Sequence, residues 1–174
     1  ILYLPGGSEG TGDVTDCIVR GAGLYSVEAG SGAANITVER NILVDPGVFG
    51  FICANGAATI VRNNTILGAG DCGIYADFSI GFAEFICERN ILVQNSVYGI
   101  ACFSPQPPTL DCNVLFDNGV SAYSPECNPG AGDLETDPMF CDLNTYTLLP
   151  GSPCAPANAG ACQAIGAVET VCAQ

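Results

Sequence analysis

Short apolar runs separated by polar turns recur along the chain at a regular interval. The segment Glu39-Arg-Asn-Ile-Leu43 returns as Glu88-Arg-Asn-Ile-Leu92, and Arg62-Asn-Asn-Thr-Ile-Leu67 lies between them. With the asparagine of each segment as the anchor, the repeat contains Asn41, Asn64, Asn90 and Asn113, extends backward to Cys17 and forward to Asp137, and has spacings of 24, 23, 26, 23 and 24 residues. A period of this length indicates stacked structural repeats.

Positions at a fixed distance from the anchor share one character, which is what stacked coils require. The row three residues before the anchor is apolar: Val14, Val38, Val61, Cys87, Leu110 and Leu134. The row nine residues after the anchor is small: Ser26, Gly50, Gly73, Gly99 and Ala122. The row ten residues after the anchor is bulky: Val27, Phe51, Ile74, Ile100 and Tyr123. These rows predict that equivalent residues lie above one another.

The pattern predicts an all-β parallel solenoid of about six coils of about 24 residues. Each coil contributes short strands that pair with the equivalent strands one coil away, at a separation of about 4.8 Å. The four asparagines are expected to form a hydrogen-bonded ladder at one turn. We divide the chain into an apolar strand with a Gly-rich tether (1–12), the coils (13–140) and a Cys/Pro-rich segment (141–174) that closes the carboxyl-terminal end and is tied by disulfides.

Several motifs resemble the bacterial secreted right-handed parallel β-helix repeat proteins, the pectin-lyase-like superfamily in its broad sense. They are Arg62-Asn-Asn-Thr-Ile66 in the repeat, and Asp137-Pro-Met-Phe140, Tyr146-Thr-Leu-Leu-Pro-Gly-Ser-Pro153 and Ala164-Ile-Gly-Ala167 near the end. The resemblance implies a single-stranded right-handed β-helix. It does not fix an activity, because this fold carries lyases, hydrolases, adhesins and structural fibres.

The charged residues exclude several classes of function. The chain has 18 acidic residues, four arginines, no lysine and no histidine, which gives a net charge of −14. Histidine-dependent triads, Schiff-base lysines and Walker-type phosphate loops are therefore absent. So acidic a chain is not expected to bind nucleic acid or an anionic membrane surface. No apolar run reaches the roughly 18 residues that a membrane span needs.

The eleven cysteines predict an oxidising environment, either secreted or at the cell surface. Connectivity cannot be deduced from sequence, but two short loops suggest the local bridges Cys127–Cys141 and Cys154–Cys162. Because the count is odd, at least one cysteine is free, buried or bonded to another chain. Cys17 and Cys172 are the candidates for a bond between chains.

Two groups of carboxylates are candidate chemical sites. Glu88 and Asp111 are expected on neighbouring coils, near the separation used by retaining glycosidases, although a surface ladder of alternating charges explains the same row without catalysis. Asp133, Glu135, Asp137 and Asp142 are candidate calcium ligands, without a specific calcium-loop motif; otherwise no cofactor is expected.

Aromatic residues occupy the row eight residues after the anchor, at Tyr25, Phe49 and Tyr98. We expect these rings to lie inside the solenoid, because aromatic residues mostly belong to cores. The alternative is an exposed row that stacks on sugar rings.

Two functions of different class remain. The first is a non-catalytic extracellular structural or adhesive module that self-associates, with end-to-end assembly into a surface filament through the apolar strand Ile1, Leu2, Tyr3 and Leu4. By β-augmentation that strand would add to a neighbouring subunit, unless it closes the first coil of its own chain. The second is an extracellular polysaccharide-binding or polysaccharide-cleaving protein of lyase or glycosidase type.

Overall fold

Three parallel sheets run along the length of the molecule. The computed structural model describes residues 2–4, 11–30, 35–54, 58–79, 84–103, 108–168 and 170–172. In chain order the strands are β1 (Leu2–Leu4), β2 (Gly12–Thr15), β3 (Ile18–Arg20), β4 (Tyr25–Ala29), β5 (Ile36–Glu39), β6 (Ile42–Val44), β7 (Phe49–Ala54), β8 (Thr59–Arg62), β9 (Thr65–Leu67), β10 (Ile74–Asp77), β11 (Phe85–Glu88), β12 (Ile91–Val93), β13 (Tyr98–Phe103), β14 (Thr109–Asp111), β15 (Val114–Phe116), β16 (Ser121–Tyr123), β17 (Phe140–Asp142) and β18 (Thr147–Leu148), followed by a 3₁₀ turn (Gly160–Cys162).

Each sheet collects every third strand of the solenoid. Sheet A has the order β1-β4-β7-β10-β13-β16, sheet B β14-β11-β8-β5-β2 and sheet C β15-β12-β9-β6-β3, while β17 and β18 form a separate antiparallel pair. The register equals one repeat: Ile42 pairs with Ile18 on one side and with Thr65 on the other. The predicted parallel β-solenoid is therefore confirmed.

Two-residue turns join sheet B to sheet C. The residue directly before each ladder position has a positive φ, and these residues are Asp16, Arg40, Asn63, Arg89 and Cys112. A second row of positive φ follows sheet C, at Gly21, Asp45, Gly68, Gln94 and Asp117. A single left-handed residue turns the chain sharply. The bend from sheet B to sheet C and the bend after sheet C therefore each fall at one fixed position of the coil.

Sheets B and C have five strands each, which span about four turns, so the solenoid ends one coil before the predicted six. The sixth anchor at Asp137 is wrong, because Asp133 occupies the next ladder position: its Oδ1 accepts the backbone N–H of Asn113 at 2.7 Å and the side-chain amide at 3.0 Å. Beyond β15, sheet C continues only through one bridge from Val114 to Leu134.

Residues 124–136 cover the carboxyl-terminal end of the stack. Gly130 lies directly against the backbone of Leu110, and the backbone N–H of Gly132 donates to Asp111 Oδ1 at 2.9 Å. Tyr123 Oη donates to Asp133 Oδ2 at 2.6 Å. This segment therefore covers the last strands of sheets B and C, whose edges another coil would need for pairing.

The opposite end begins with the predicted assembly strand. Leu2, Tyr3 and Leu4 form β1, which pairs in parallel with Val27, Glu28 and Ala29 of the same chain. The two predicted roles were addition to a neighbouring subunit and closure of the first coil of its own chain. In the structure this strand extends sheet A of its own chain. Ile1 lies outside the described residues.

The outer face of sheet C is covered by the chain itself. We call residues 138–168 the strap. Tyr146, Leu148 and Ile165 of the strap form a second hydrophobic cluster with the outer side chains of β6, β9, β12 and β15. Strands of sheet C are apolar triplets such as Ile-Leu-Val because both of their faces are buried.

The disulfides join neighbours in space, and both predicted bridges are wrong. Within the described residues the pairs are Cys102–Cys127, Cys112–Cys162 and Cys141–Cys172. The first ties residues 124–136 to the coil below them, and the second ties the strap to a turn of the last complete coil. The third ties β17 of the strap to Cys172, next to the bridge between Val171 and Leu148. Cys154 is a buried free thiol, and Cys172 is not available for a bond between chains.

Candidate functional site

The asparagine ladder is an internal hydrogen-bonded stack. Asn41, Asn64, Asn90 and Asn113 are each 0 % exposed. Asn64 donates to Asn90 Oδ1 from both its backbone N–H and its side-chain amide, each at 3.0 Å, while the amide of Asn90 donates to the Val61 carbonyl at 2.9 Å. These amides are fully engaged and inaccessible, so the ladder holds the coils together and is not a ligand site.

Charged side chains form the predicted row on the outer face of sheet B. Glu39 pairs in register with Arg62, Arg62 with Glu88, and Glu88 with Asp111. Arg62 binds Glu39 with an N–O distance of 3.1 Å, and Arg89 binds Glu88. Asp111 accepts a hydrogen bond from the backbone N–H of Gly132, in the segment that covers the end of the stack. Glu88 and Asp111 are therefore neighbours with structural partners of their own, and a catalytic role for them stays a prediction.

The four candidate calcium ligands do not form one group. Asp133 ends the ladder, Asp137 accepts the backbone N–H of Met139 at 2.7 Å, and Glu135 is exposed. Asp142 accepts hydrogen bonds from Asn144 and Thr145 that hold the pKa of its carboxyl below the usual range. Among the residues that the structure describes, no set of three or more acidic, cysteine or histidine side chains is arranged to hold a metal ion.

Several cysteines are buried thiols with little nucleophilic character. Burial raises the pKa of Cys154 to about 12. Burial and a hydrogen bond to Asp71 together raise the pKa of Cys72 to about 12, and burial raises that of Cys87 further. Because the thiolate is the reactive form, these side chains act as core residues.

Tyr25 and Phe49 of the predicted aromatic row lie outside the solenoid, contrary to our expectation, and Tyr98 is half-buried and belongs to neither core. The stack is completed by Tyr75 and Phe103, which come from other rows. Tyr25 stacks on Phe49 with ring centroids 5.6 Å apart, Phe49 on Tyr75 at 4.6 Å, and Tyr75 on Phe103 at 5.2 Å. None of these four rings belongs to either hydrophobic core, and Phe103 is 39 % exposed. They form a continuous ring stack on the outer face of sheet A.

The bend at the small row is the reason for this placement. Gly50 and Phe51 are consecutive, yet both are buried inside the solenoid. Strict alternation along a strand would put Phe49 on the same side as Phe51. Because Gly50 turns inward and packs against Ile66 of sheet C, the alternation is interrupted and the ring of Phe49 lies outside.

An aliphatic row borders the ring stack at the corner between sheets C and A. Backbone hydrogen bonds of 2.8–2.9 Å run up this row from Val48 to Leu24, from Asp71 to Val48, from Val97 to Asp71 and from Val120 to Val97. Leu24 and Val120 are exposed, and neither they nor Val48 and Val97 belong to a core cluster. The four rings and these four aliphatic residues together are called the apolar face.

The apolar face also carries polar groups. Burial and the negative charges of Asp77 and Asp71 raise the pKa of the Tyr75 hydroxyl, which keeps it a neutral donor at physiological pH. The aliphatic row was not predicted from the sequence, although its position seven residues after each anchor follows the repeat. The second asparagine stack was not predicted either; in it Asn95 donates to Asn118 Oδ1 from its backbone N–H at 3.1 Å.

Comparison with known proteins gives a family but no individual relative. No curated protein and no solved structure matches the chain. Among the helices of the described residues, none is long and apolar enough to cross a membrane. The family model described as "Right handed beta helix region" matches residues 2–132. That span contains all three solenoid sheets, so the coils are right-handed, and the chain belongs to the right-handed β-helix family.

Proposed function

We propose that the chain is a non-catalytic extracellular adhesive module that binds a polysaccharide along the apolar face. The observation that carries this proposal is that the outer faces of the three sheets differ in what covers them. The strap covers sheet C, and sheet B carries a row of paired charges. Sheet A and its corner leave rings and aliphatic side chains in contact with water. Exposed apolar surface of this extent is typical of interaction sites.

A linear polymer suits the repeating geometry of this face. The rings follow one another at 4.6–5.6 Å, close to the step between coils. A 1,4-linked sugar chain advances by a similar distance per ring. Because the aromatic rings stack on one another, they present their edges outward as a ridged apolar surface. The C–H faces of the sugars would pack on these ridges, while tyrosine hydroxyls and nearby carboxylates would bind the sugar hydroxyls.

An extracellular setting fits the covalent structure. The three disulfides all fix the carboxyl-terminal region, and stable disulfides are typical of secreted or surface proteins. The motifs that resemble secreted bacterial pectin-lyase-like proteins support the same setting.

Neither catalysis nor filament formation is included in the proposal. Glu88 and Asp111 each carry a structural partner. A head-to-tail filament needs open strand edges at both ends, and residues 124–136 cover the edges of sheets B and C at one end. An adhesive role requires neither feature.

Affinity electrophoresis through gels that contain neutral, amine-bearing or acidic soluble polysaccharides would test the proposal. Retardation by at least one of them is expected. The double variant Phe103→Ser with Val120→Ser removes side chains of the apolar face that are 39 % and 66 % exposed, and it should lose most of the retardation.

A matched control separates binding from general surface effects. Phe116→Ser with Ile18→Ser removes the same kinds of side chain at 37 % and 63 % exposure, away from the apolar face. This control should be retarded like the unaltered protein. Failure of every polysaccharide to retard the protein, or equal loss in both double variants, would refute the proposed function.

A further inference from the structure

The carboxylates of sheet A lie within the apolar face rather than around it. Asp71 stands in the aliphatic row between Val48 and Val97. Asp77 pairs in register with Phe103, and Glu28 lies in the same outward row as Tyr75, two coils away. Negative charges therefore lie on two coils of the surface that would contact the polymer, Glu28 on one and Asp71 with Asp77 on the other.

These carboxylates have no cationic partner among the described residues. Arg40 and Arg62 bind Asp16 and Glu39, and Arg89 binds Glu88, all at the sheet B corner. Arg20 donates to Tyr146 Oη at 3.0 Å and to the Asn144 carbonyl at 2.9 Å in the strap. All four arginines of the chain are thus engaged elsewhere.

Hydrogen bonds to the same carboxylates leave further acceptor capacity. Asp71 Oδ1 accepts the Cys72 thiol at 3.0 Å, and Asp77 Oδ1 accepts the backbone N–H of Ser79 at 2.9 Å. An ionised carboxylate has two oxygens and about four acceptor positions. Each group is therefore held in place by a single bond and can accept a charged donor from a ligand.

The charge of the face limits its occupant. A second copy would bring the same carboxylates opposite one another, and an acidic glycan would meet the same repulsion in a protein of net charge −14. Protonated amines would instead gain ion pairs. A basic peptide strand repeats its side chains on one face every 6.6 Å or so, which does not match the step between coils, whereas a sugar chain does.

We propose that the polysaccharide bound by the apolar face is a polymer of amino sugars with protonated amines, its sugar rings lying on the ring stack and its ammonium groups on Glu28, Asp71 and Asp77. This inference rests on the proposed function and adds the chemical class of the ligand. The amines supply the positive charges that the chain itself lacks on this face.

Isothermal titration at mildly acidic pH would test the inference with a hexamer of 1,4-linked glucosamine and its fully N-acetylated counterpart. The amine form should bind more tightly, and added salt should reduce the difference. Asp71→Asn with Asp77→Asn keeps both oxygens that accept the structural hydrogen bonds, and should reduce the preference for the amine form over the acetylated form about fivefold, because only the amine form loses ion pairs. Asp13→Asn with Asp117→Asn removes the same net charge from exposed positions off the face and should change neither.

Each other outcome has a defined meaning. Equal affinity for the two hexamers, with loss of both in Phe103→Ser/Val120→Ser, would overturn the amine preference and keep the proposed function. Binding of neither hexamer, nor of any neutral or acidic glycan, would overturn both. Tighter binding of an oligolysine peptide than of the amine hexamer, or an undiminished preference in Asp71→Asn/Asp77→Asn, would overturn the inference alone.

Discussion

Substitution of Asn90 by alanine should destabilise the protein far more than loss of one side-chain contact. Asn90 is 0 % exposed, and its amide spans three coils. Removal leaves the backbone N–H of Asn64 without its acceptor at 3.0 Å and takes a side-chain donor at 2.9 Å from the Val61 carbonyl, which stays within the β8–β11 pairing. The side-chain amide of Asn64 keeps its bond to the Val38 carbonyl at 2.8 Å. One buried backbone N–H is therefore left without a partner, and one buried carbonyl loses one of its donors.

The magnitude follows from these two losses. A buried polar group left unsatisfied costs about 1–3 kcal/mol and a lost hydrogen bond about 0.5–1.5 kcal/mol, so Asn90→Ala should lower the free energy of unfolding by about 1.5–4.5 kcal/mol. With a urea dependence of about 2 kcal/mol per molar, the midpoint would fall by about 1–2 M. Equilibrium urea unfolding of the oxidised protein, followed by far-ultraviolet circular dichroism, measures this shift.

The second asparagine stack supplies a matched control. Asn118 is half-buried, and its Oδ1 accepts the backbone N–H of Asn95 at 3.1 Å in the same geometry. Water can reach this end of the stack, so Asn118→Ala should cost only the net value of a hydrogen bond, about 0.5–1.5 kcal/mol. Equal costs for the two substitutions, or a cost below about 1 kcal/mol for Asn90→Ala, would refute burial as the source of the ladder's strength.

Three further changes test other parts of the molecule. Gly73→Ala should lower the free energy of unfolding in urea by about 1–3 kcal/mol, because the added Cβ would lie 2.9 Å from a buried leucine side chain. Gly23→Ala, whose Cβ meets nothing within 4 Å, should be neutral. Equal effects of the two substitutions would contradict the packing argument. Cys162→Ser opens a disulfide across 50 residues and should cost about 2–4 kcal/mol, so an unchanged urea midpoint would show that the strap needs no covalent tie. Iodoacetamide at mildly alkaline pH should alkylate the half-buried Cys17 before Cys154, because burial raises the pKa of Cys154 to about 12. Peptide mapping by mass spectrometry measures the order of labelling, and simultaneous labelling of the two thiols would disprove this expectation.

The repeat could be predicted from sequence because each coil makes the same contacts as the next. An asparagine that donates upward and accepts downward only works when another stands above it, so Asn41 to Asn113 recur with little variation. The end of the repeat has no such requirement. Any carboxylate oxygen can accept the final N–H, and Asp133 is positioned by a close approach of Gly130 to the last coil. The repeat therefore predicted the wrong residue, Asp137 instead of Asp133, at the end of the stack, where no further coil fixes the position.

The disulfides divide in the same way. Cys102 and Cys127 are 25 residues apart, about one coil, and their Cα atoms lie 5.3 Å apart. The period alone was therefore sufficient to predict this pair. Cys112 and Cys162 meet because the strap returns along sheet C, and the strap has no repeat to position it. The uninterrupted apolar triplets of sheet C were the one sequence signal that something covers that face.

The orientation of the ring stack depends on a row of residues that carry almost no side chain. Gly50, Gly73 and Gly99 face the interior, where the side chains of sheet C leave no room for a Cβ. At Gly50 this inward orientation interrupts the strand alternation and leaves the ring of Phe49 outside the solenoid. Packing of the interior thus determines which side chains meet the solvent, so the apolar face and the core cannot vary independently. A larger residue in the small row would disturb the core and the spacing of the rings together, which ties the proposed binding surface to the stability of the coils beneath it.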